Sequence, residues 1–135
     1  MNRTAACSCG QLTATCAGDP DRVVLCSCTA CQRRTGSPFG AGAYYLREKV
    51  KTAGRANKYR RQTDGGRWFD TYFCPDCGTS LYWFLELFPT EIGVAVGGFG
   101  DPSFPPPVRS VWAAHKHQWI EFPEGVDQLQ GQSRT

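Results

Sequence analysis

No uninterrupted apolar run in this chain of 135 residues approaches the roughly 18 needed to cross a membrane. There is no internal repeat, no coiled-coil heptad and no long low-complexity stretch, which sets aside solenoids and fibrous assemblies. No segment keeps a helical period over three turns, so a mainly helical fold is set aside as well. Strong charge of one sign is missing too. The formal net charge of +3 does not by itself argue for nucleic acid. No apolar signal segment separates Met1-Asn2-Arg3 from the first cysteine cluster, so the expected compartment is the cytoplasm. In that reducing environment clustered cysteines bind metal more often than they pair as disulfides. A secreted four-disulfide scaffold is the competing reading, and the tight spacing of the cysteines argues against it.

What the chain does have is cysteine in clusters. Seven of its eight cysteines lie in Cys7-Ser8-Cys9-Gly10, Cys26-Ser27-Cys28-Thr29-Ala30-Cys31 and Cys74-Pro75-Asp76-Cys77-Gly78. Two thiolates one or two residues apart can reach one tetrahedral metal without straining the backbone. In the third cluster a proline fixes the turn after the first ligand and a glycine permits positive φ after the second. The first cluster ends in glycine in the same way, so Cys7, Cys9, Cys74 and Cys77 form the expected closed structural site. Cys26, Cys28 and Cys31 remain as an open site of three ligands. Three thiolates make zinc a poor Lewis acid and suit it to hold a substrate thiol. Two rival readings stay open for this cluster: a fourth ligand from Cys16, His115 or His117, or a metal-free redox-active thiol group.

Other candidates are read against plainer roles. Leu12, Ala14 and Cys16 alternate on one strand face, which makes Cys16 a small core residue. His115 and His117 are either an exposed strand-edge pair or proton-transfer groups. Arg33 and Arg34 follow the open cluster and can anchor substrate carboxylates, or simply face solvent. Ser37, in Gly36-Ser37-Pro38-Phe39-Gly40, is a candidate proton relay. Lys58, Arg60, Arg61 and Arg67 surround the turn Asp64-Gly65-Gly66 and read as an exposed polar face, with a nucleic-acid patch as the rival.

Strand-length runs rich in aromatic and β-branched residues recur at 11–16, 23–26, 42–46, 59–61, 68–73, 81–84, 92–96, 108–113 and 119–122. Only residues 28–34 suggest a short helical turn. The expected fold is mainly β, with two small antiparallel sheets joined at the metal sites. Residues 1–125 are expected to form a single zinc-binding domain and 126–135 a frayed polar tail.

These motifs resemble those of the glutathione-dependent formaldehyde-activating enzyme family, which includes the centromere protein V domain. The likeness rests on Cys7 to Gly10, on Cys26 to Phe39 and on Phe73 to Leu81, with further matches at Gly98 to Pro102 and at Lys116-x-x-Trp119-Ile120. It implies a β-tent fold holding two zinc ions, a structural one on Cys7, Cys9, Cys74 and Cys77 and a catalytic-type one on Cys26, Cys28 and Cys31. It also implies a carbon–sulfur lyase activity that joins formaldehyde and glutathione into S-hydroxymethylglutathione. The chain departs from the family pattern at Gln32, where arginine is common, and at Ser110, where many members carry histidine. A glutathione-like thiol is thus the expected partner; no membrane and no nucleic acid is expected, and an exposed strand edge could pair two copies as a homodimer. The alternative is a non-catalytic zinc module that binds protein or nucleic acid through the basic hairpin.

Overall fold

The alternation at residues 12–16 forms a strand whose inward side chains, Ala14 and Cys16, are fully buried. The computed structural model describes residues 1–132, so the last three residues of the expected tail lie outside the described residues. In chain order the elements are β1 (Asn2–Ala6), β2 (Thr13–Ala17), β3 (Arg22–Cys26), α1 (Thr29–Thr35), β4 (Gly40–Leu46), β5 (Val50–Ala53), β6 (Asn57–Gln62), β7 (Trp68–Phe73), β8 (Ser80–Leu85), β9 (Phe88–Ala95), β10 (Arg109–Val111) and β11 (Asp127–Gln128). Short 3₁₀ turns follow β4, β9 and β10.

The fold is mainly β and has two sheets. One is antiparallel, in the order β1-β2-β5. The other runs β11-β10-β3-β4-β9-β8-β7-β6. From β3 to β6 every pairing in it is antiparallel, whereas β10 joins β3, and β11 joins β10, in parallel. The second sheet is therefore longer than a small meander and mixed in direction.

Local sequence explains which strands were readable. β1 carries Asn2, Arg3 and Thr4, and β5 carries Lys51 and Thr52. Neither shows an apolar run, because both lie at the edges of the small sheet and β2 supplies its buried alternation. Residues 119–122 are not a strand. The free edge of β10 is taken by β11, and the segment turns instead, with Lys116 Nζ donating to the Ile120 carbonyl at 2.6 Å and Trp119 exposed. Nor do residues 127–132 fray: the Leu129 N–H donates to the Ser110 carbonyl at 2.8 Å, and the Trp112 N–H to that of Gly131 at 3.0 Å. The turn at residues 64–66 closes the β6–β7 hairpin as expected.

The large sheet is covered on one face and hollowed on the other. Ala43 and Tyr45 of β4, Ile92 and Val94 of β9 and Tyr82 of β8 join Ala5, Leu12, Ala14 and Cys16 in the main core. A strand's period of two turns the intervening residues to the opposite face. There Tyr44 of β4 stands opposite Gly93 of β9, which stands opposite Trp83 of β8. A methyl group on Gly93 would overlap the Trp83 indole, and one on Gly42 would come within 2.7 Å of it. Two missing side chains thus let the indole lie flat across neighbouring strands.

Gly93→Ala is expected to lower stability by about 1–3 kcal/mol through this overlap. Gly97→Ala, which meets open space, is the matched control. Chemical denaturation of both variants checks the assignment, and equal midpoints would mean that the indole does not occupy this position.

Candidate metal centres and the adjoining cleft

Two turns bring the first group of cysteines together from opposite parts of the chain. The Gly10 N–H donates to the Cys7 carbonyl at 3.0 Å, and the Gly78 N–H to the Cys74 carbonyl at 2.8 Å. Both glycines close their turns at positive φ, +83° and +79°, which a β-carbon would disfavour. Ser8 and Thr79 then lock the two turns together, with the Ser8 N–H donating to Thr79 Oγ1 at 3.1 Å. The ligand atoms of Cys7, Cys9, Cys74 and Cys77 all lie within 4.8 Å of one another. Cys9 Sγ is 3.6 Å from Cys7 Sγ and 3.7 Å from Cys74 Sγ. Sulfurs each about 2.3 Å from a shared tetrahedral metal stand about 3.8 Å apart, so the donor set fits such an ion.

The surroundings favour thiolate at Cys74 and Cys77, whereas the Cys9 thiol is pushed up to about 12. Gln11 Nε2 donates to Cys74 Sγ at 2.9 Å and the Leu12 N–H to Cys7 Sγ at 3.3 Å. Hydrogen bonding from Thr79 holds the Cys77 thiol down at about 5. Gln11 also receives the Arg55 N–H at 2.9 Å and donates to the Arg55 carbonyl at 2.8 Å, which ties the chain just beyond β5 to the same cluster.

The second group is more local. Cys26 ends β3, Cys28 is the N-cap of α1, and Cys31 sits in the helix's first turn. Cys28 Sγ accepts the Cys31 N–H at 3.4 Å, so one side chain both caps the helix and faces the other two thiols. Hydrogen bonds from Cys26 and Cys28 hold the Cys31 thiol low, at about 2, and the positive charges of Arg34 and Arg61 act in the same direction. Cys26, which shares hydrogen bonds with the other two, is pushed up. These three could also hold a metal ion, and among the described residues no fourth histidine, cysteine or carboxylate ligand atom joins them within 4.8 Å. Cys16 is in the core, His115 lines the neighbouring cleft outside the group, and His117 does neither.

All three cysteines line a cleft that holds about 990 Å³ of space, its open mouth included. Its floor is the hollowed face of the large sheet, where Phe69 stacks on Trp83 with ring centroids 6.2 Å apart. Arg34 lies over the Trp83 ring at 4.5 Å and Arg61 over the Phe69 ring at 4.4 Å. Neither guanidinium has a carboxylate partner within 4.0 Å among the described residues, and Arg34 Nε is buried with no hydrogen-bond partner. Arg22 differs: it makes a paired contact with Glu91 at 2.7 and 2.8 Å.

The cleft thus receives Arg34 of the residues expected near the open cluster. Arg33 is exposed and does not line it, and Ser37 lies outside the lining with its N–H donating to Thr35 Oγ1 at 3.1 Å. Gln32 braces the helix from the other side, donating to the carbonyls of Ser27 at 2.8 Å and His115 at 3.2 Å. Ser110 is fully buried in β10. The basic hairpin is split by strand alternation. Arg60 pairs with Asp70 at 2.7 and 3.0 Å, whereas Arg61 turns into the cleft. Arg61, Tyr44 and Trp83 were the cleft residues that motif reading missed. Alternation outward from the 64–66 turn carries the signal for Arg61; the two aromatic residues belong to ordinary strand runs.

The fold is that of a mainly β protein with one four-cysteine cluster, and a three-cysteine cluster facing a cationic cleft, each of which could hold a metal ion. The chain is a member of the glutathione-dependent formaldehyde-activating enzyme family, which it matches over residues 2–119. A Rhodobacter sphaeroides protein of known crystal structure shares the fold, with a TM-score of 0.57 and 21% identity over 76% of this chain and 91% of that one. No curated protein matches the sequence.

The two clusters predict different outcomes on substitution. Cys74→Ser opens a clip between segments more than sixty residues apart, as the separation of 65 between Cys9 and Cys74 shows, and is expected to cost more than about 4 kcal/mol or to abolish folding. Cys28→Ser keeps a good helix cap and should give a folded protein lacking one metal equivalent. Metal analysis with circular dichroism checks both; equal unfolding of the two variants would contradict the division.

Proposed function

We propose that this chain is a zinc-dependent carbon–sulfur lyase-type enzyme acting on a glutathione-like thiol and its aldehyde adduct, its single domain running past the expected boundary at residue 125 to take in β11. The observation that carries the reading is the three-cysteine group opening into a cleft with two guanidiniums that lack carboxylate partners among the described residues. Zinc held by Cys26, Cys28 and Cys31 would supply stabilisation of a substrate sulfur as thiolate at neutral pH. Zinc on Cys7, Cys9, Cys74 and Cys77 would join the two sheets.

Arg34 and Arg61 bind the carboxylates of the thiol, and their stacking on Trp83 and Phe69 fixes where the charges sit. The apolar floor keeps the reacting sulfur away from bulk water. Family membership supports glutathione and formaldehyde as the reacting pair. The rival reading, a binding module working through its basic hairpin, draws less support because Arg60 pairs with Asp70 and Arg61 lines the cleft, which leaves Lys58 and Arg67 as its exposed unpaired cations among the described residues.

The test is exchange between glutathione and ¹³C-labelled formaldehyde, followed by NMR in the presence of zinc-loaded protein. Exchange should accelerate at least about 100-fold over the uncatalysed reaction, and Cys28→Ser should abolish the effect. Unaccelerated exchange would refute the reading. The diethyl ester of glutathione, which lacks the carboxylates, should bind about 10- to 100-fold more weakly by calorimetry.

A further inference from the structure

A row of side chains crosses the floor of the cleft in register. Arg22 of β3 stands opposite Tyr44 of β4, Tyr44 opposite Gly93 of β9, and Gly93 opposite Trp83 of β8. The gap at Gly93 lets the indole reach across, and Trp83 Nε1 donates to the Tyr44 hydroxyl at 3.2 Å. The tyrosine ring is held from its other side by Arg22, 4.6 Å from the ring centroid, which Glu91 in turn clamps. Tyr44 lines the same cleft as Cys26, Cys28 and Cys31.

This arrangement sets the polarity of one hydroxyl. A phenol has one proton to donate and lone pairs to accept with. The Trp83 N–H can only donate, so it occupies a lone pair of Tyr44 and leaves the phenolic proton for another acceptor. No described residue takes that proton. Burial also keeps the phenol protonated at neutral pH, its pKa pushed up to about 12. Arg34 and Arg61 have no proton to give at that pH. His115, also in the cleft lining, stands in the turn after β10 and outside this row of paired strand residues.

We infer that Tyr44 is the proton donor to the substrate's oxygen, positioned by the Trp83 indole. The inference rests on the carbon–sulfur reading above. In the direction of synthesis the thiol first ionises. The thiolate then attacks the aldehyde carbon: a C–S bond forms, the carbonyl π pair moves onto oxygen, and the Tyr44 proton passes to that oxygen. Water returns to the phenolate the proton that the thiol released. Thiol and aldehyde are consumed and one hydroxyalkyl thioether is formed. In the reverse direction the Tyr44 oxygen takes the hydroxyl proton as the C–S bond breaks.

Tyr44→Phe tests this, because it keeps the ring against Arg22 and removes only the hydroxyl. In the zinc-loaded protein, calorimetry should give an unchanged glutathione affinity, while the ¹³C exchange rate at saturating substrates falls about 100-fold with KM unaltered. Trp83→Phe, which keeps an aromatic floor but loses the N–H, should show a smaller fall in the exchange rate at saturating substrates, where any weaker hold on Arg34 affects only KM, and carries the test if Tyr44→Phe does not fold. A Tyr44→Phe protein that exchanges as fast as wild type, or one in which only KM rises, overturns the assignment and leaves the carbon–sulfur reading standing. A wild-type protein that binds glutathione without speeding exchange overturns both.

Discussion

Four sulfurs within 4.8 Å of one another cannot all carry charge unless a cation sits among them, and the rest of this molecule depends on how that repulsion is met. Cys7 and Cys9 follow β1, and Cys74 and Cys77 follow β7. One ion held by all four would pin the three-stranded sheet to the eight-stranded one at the edge of their shared core. Cys7 and Cys74 are themselves buried members of that core. The thiolate cluster and the apolar packing are therefore one structure, and neither can be rearranged alone.

The second consequence is a division of labour between the two faces of the large sheet. One face is filled by the main core. The other is cleared by Gly42 and Gly93, and it carries aromatic rings that guanidiniums lie upon. Stacked arginines on a half-buried aromatic floor keep their charge while losing freedom of movement. The cleft owes its cationic character to that placement and not to the net charge of the chain, which is only +3.

Much of the site was legible in the sequence because metal ligands at short spacing are a local property. Cys26, Cys28 and Cys31 lie within six residues, and the loop and helix cap that group them are built from the same six. The two-sheet, mainly β character was likewise readable from residues 68–73 and 81–84, whose runs both became strands. What could not be read depends on partners distant in the chain. β1 and β5 are strands because β2 lies between them, and residues 127–128 are ordered because β10 offers an edge. Trp119 has an aromatic side chain suited to a strand, but the β10 edge is taken by β11. Arg60 and Arg61 look alike in sequence, and only the register of β6 against β7 sends one to Asp70 and the other to the cleft.

The parallel pairing of β10 with β3 matters for how the protein is made. Val111 must find Cys26, and β11 must then find β10, so this edge of the large sheet closes only after residues 109–128 have been made. Contacts between such distant segments form late, since the loop entropy is lost before the contacts repay it. Until then the three thiols at residues 26–31 stand on an unfinished edge. The order of biosynthesis thus sets a waiting time during which these sulfurs are open to oxidants and to competing metals, and the arrival of β10 and β11 ends it.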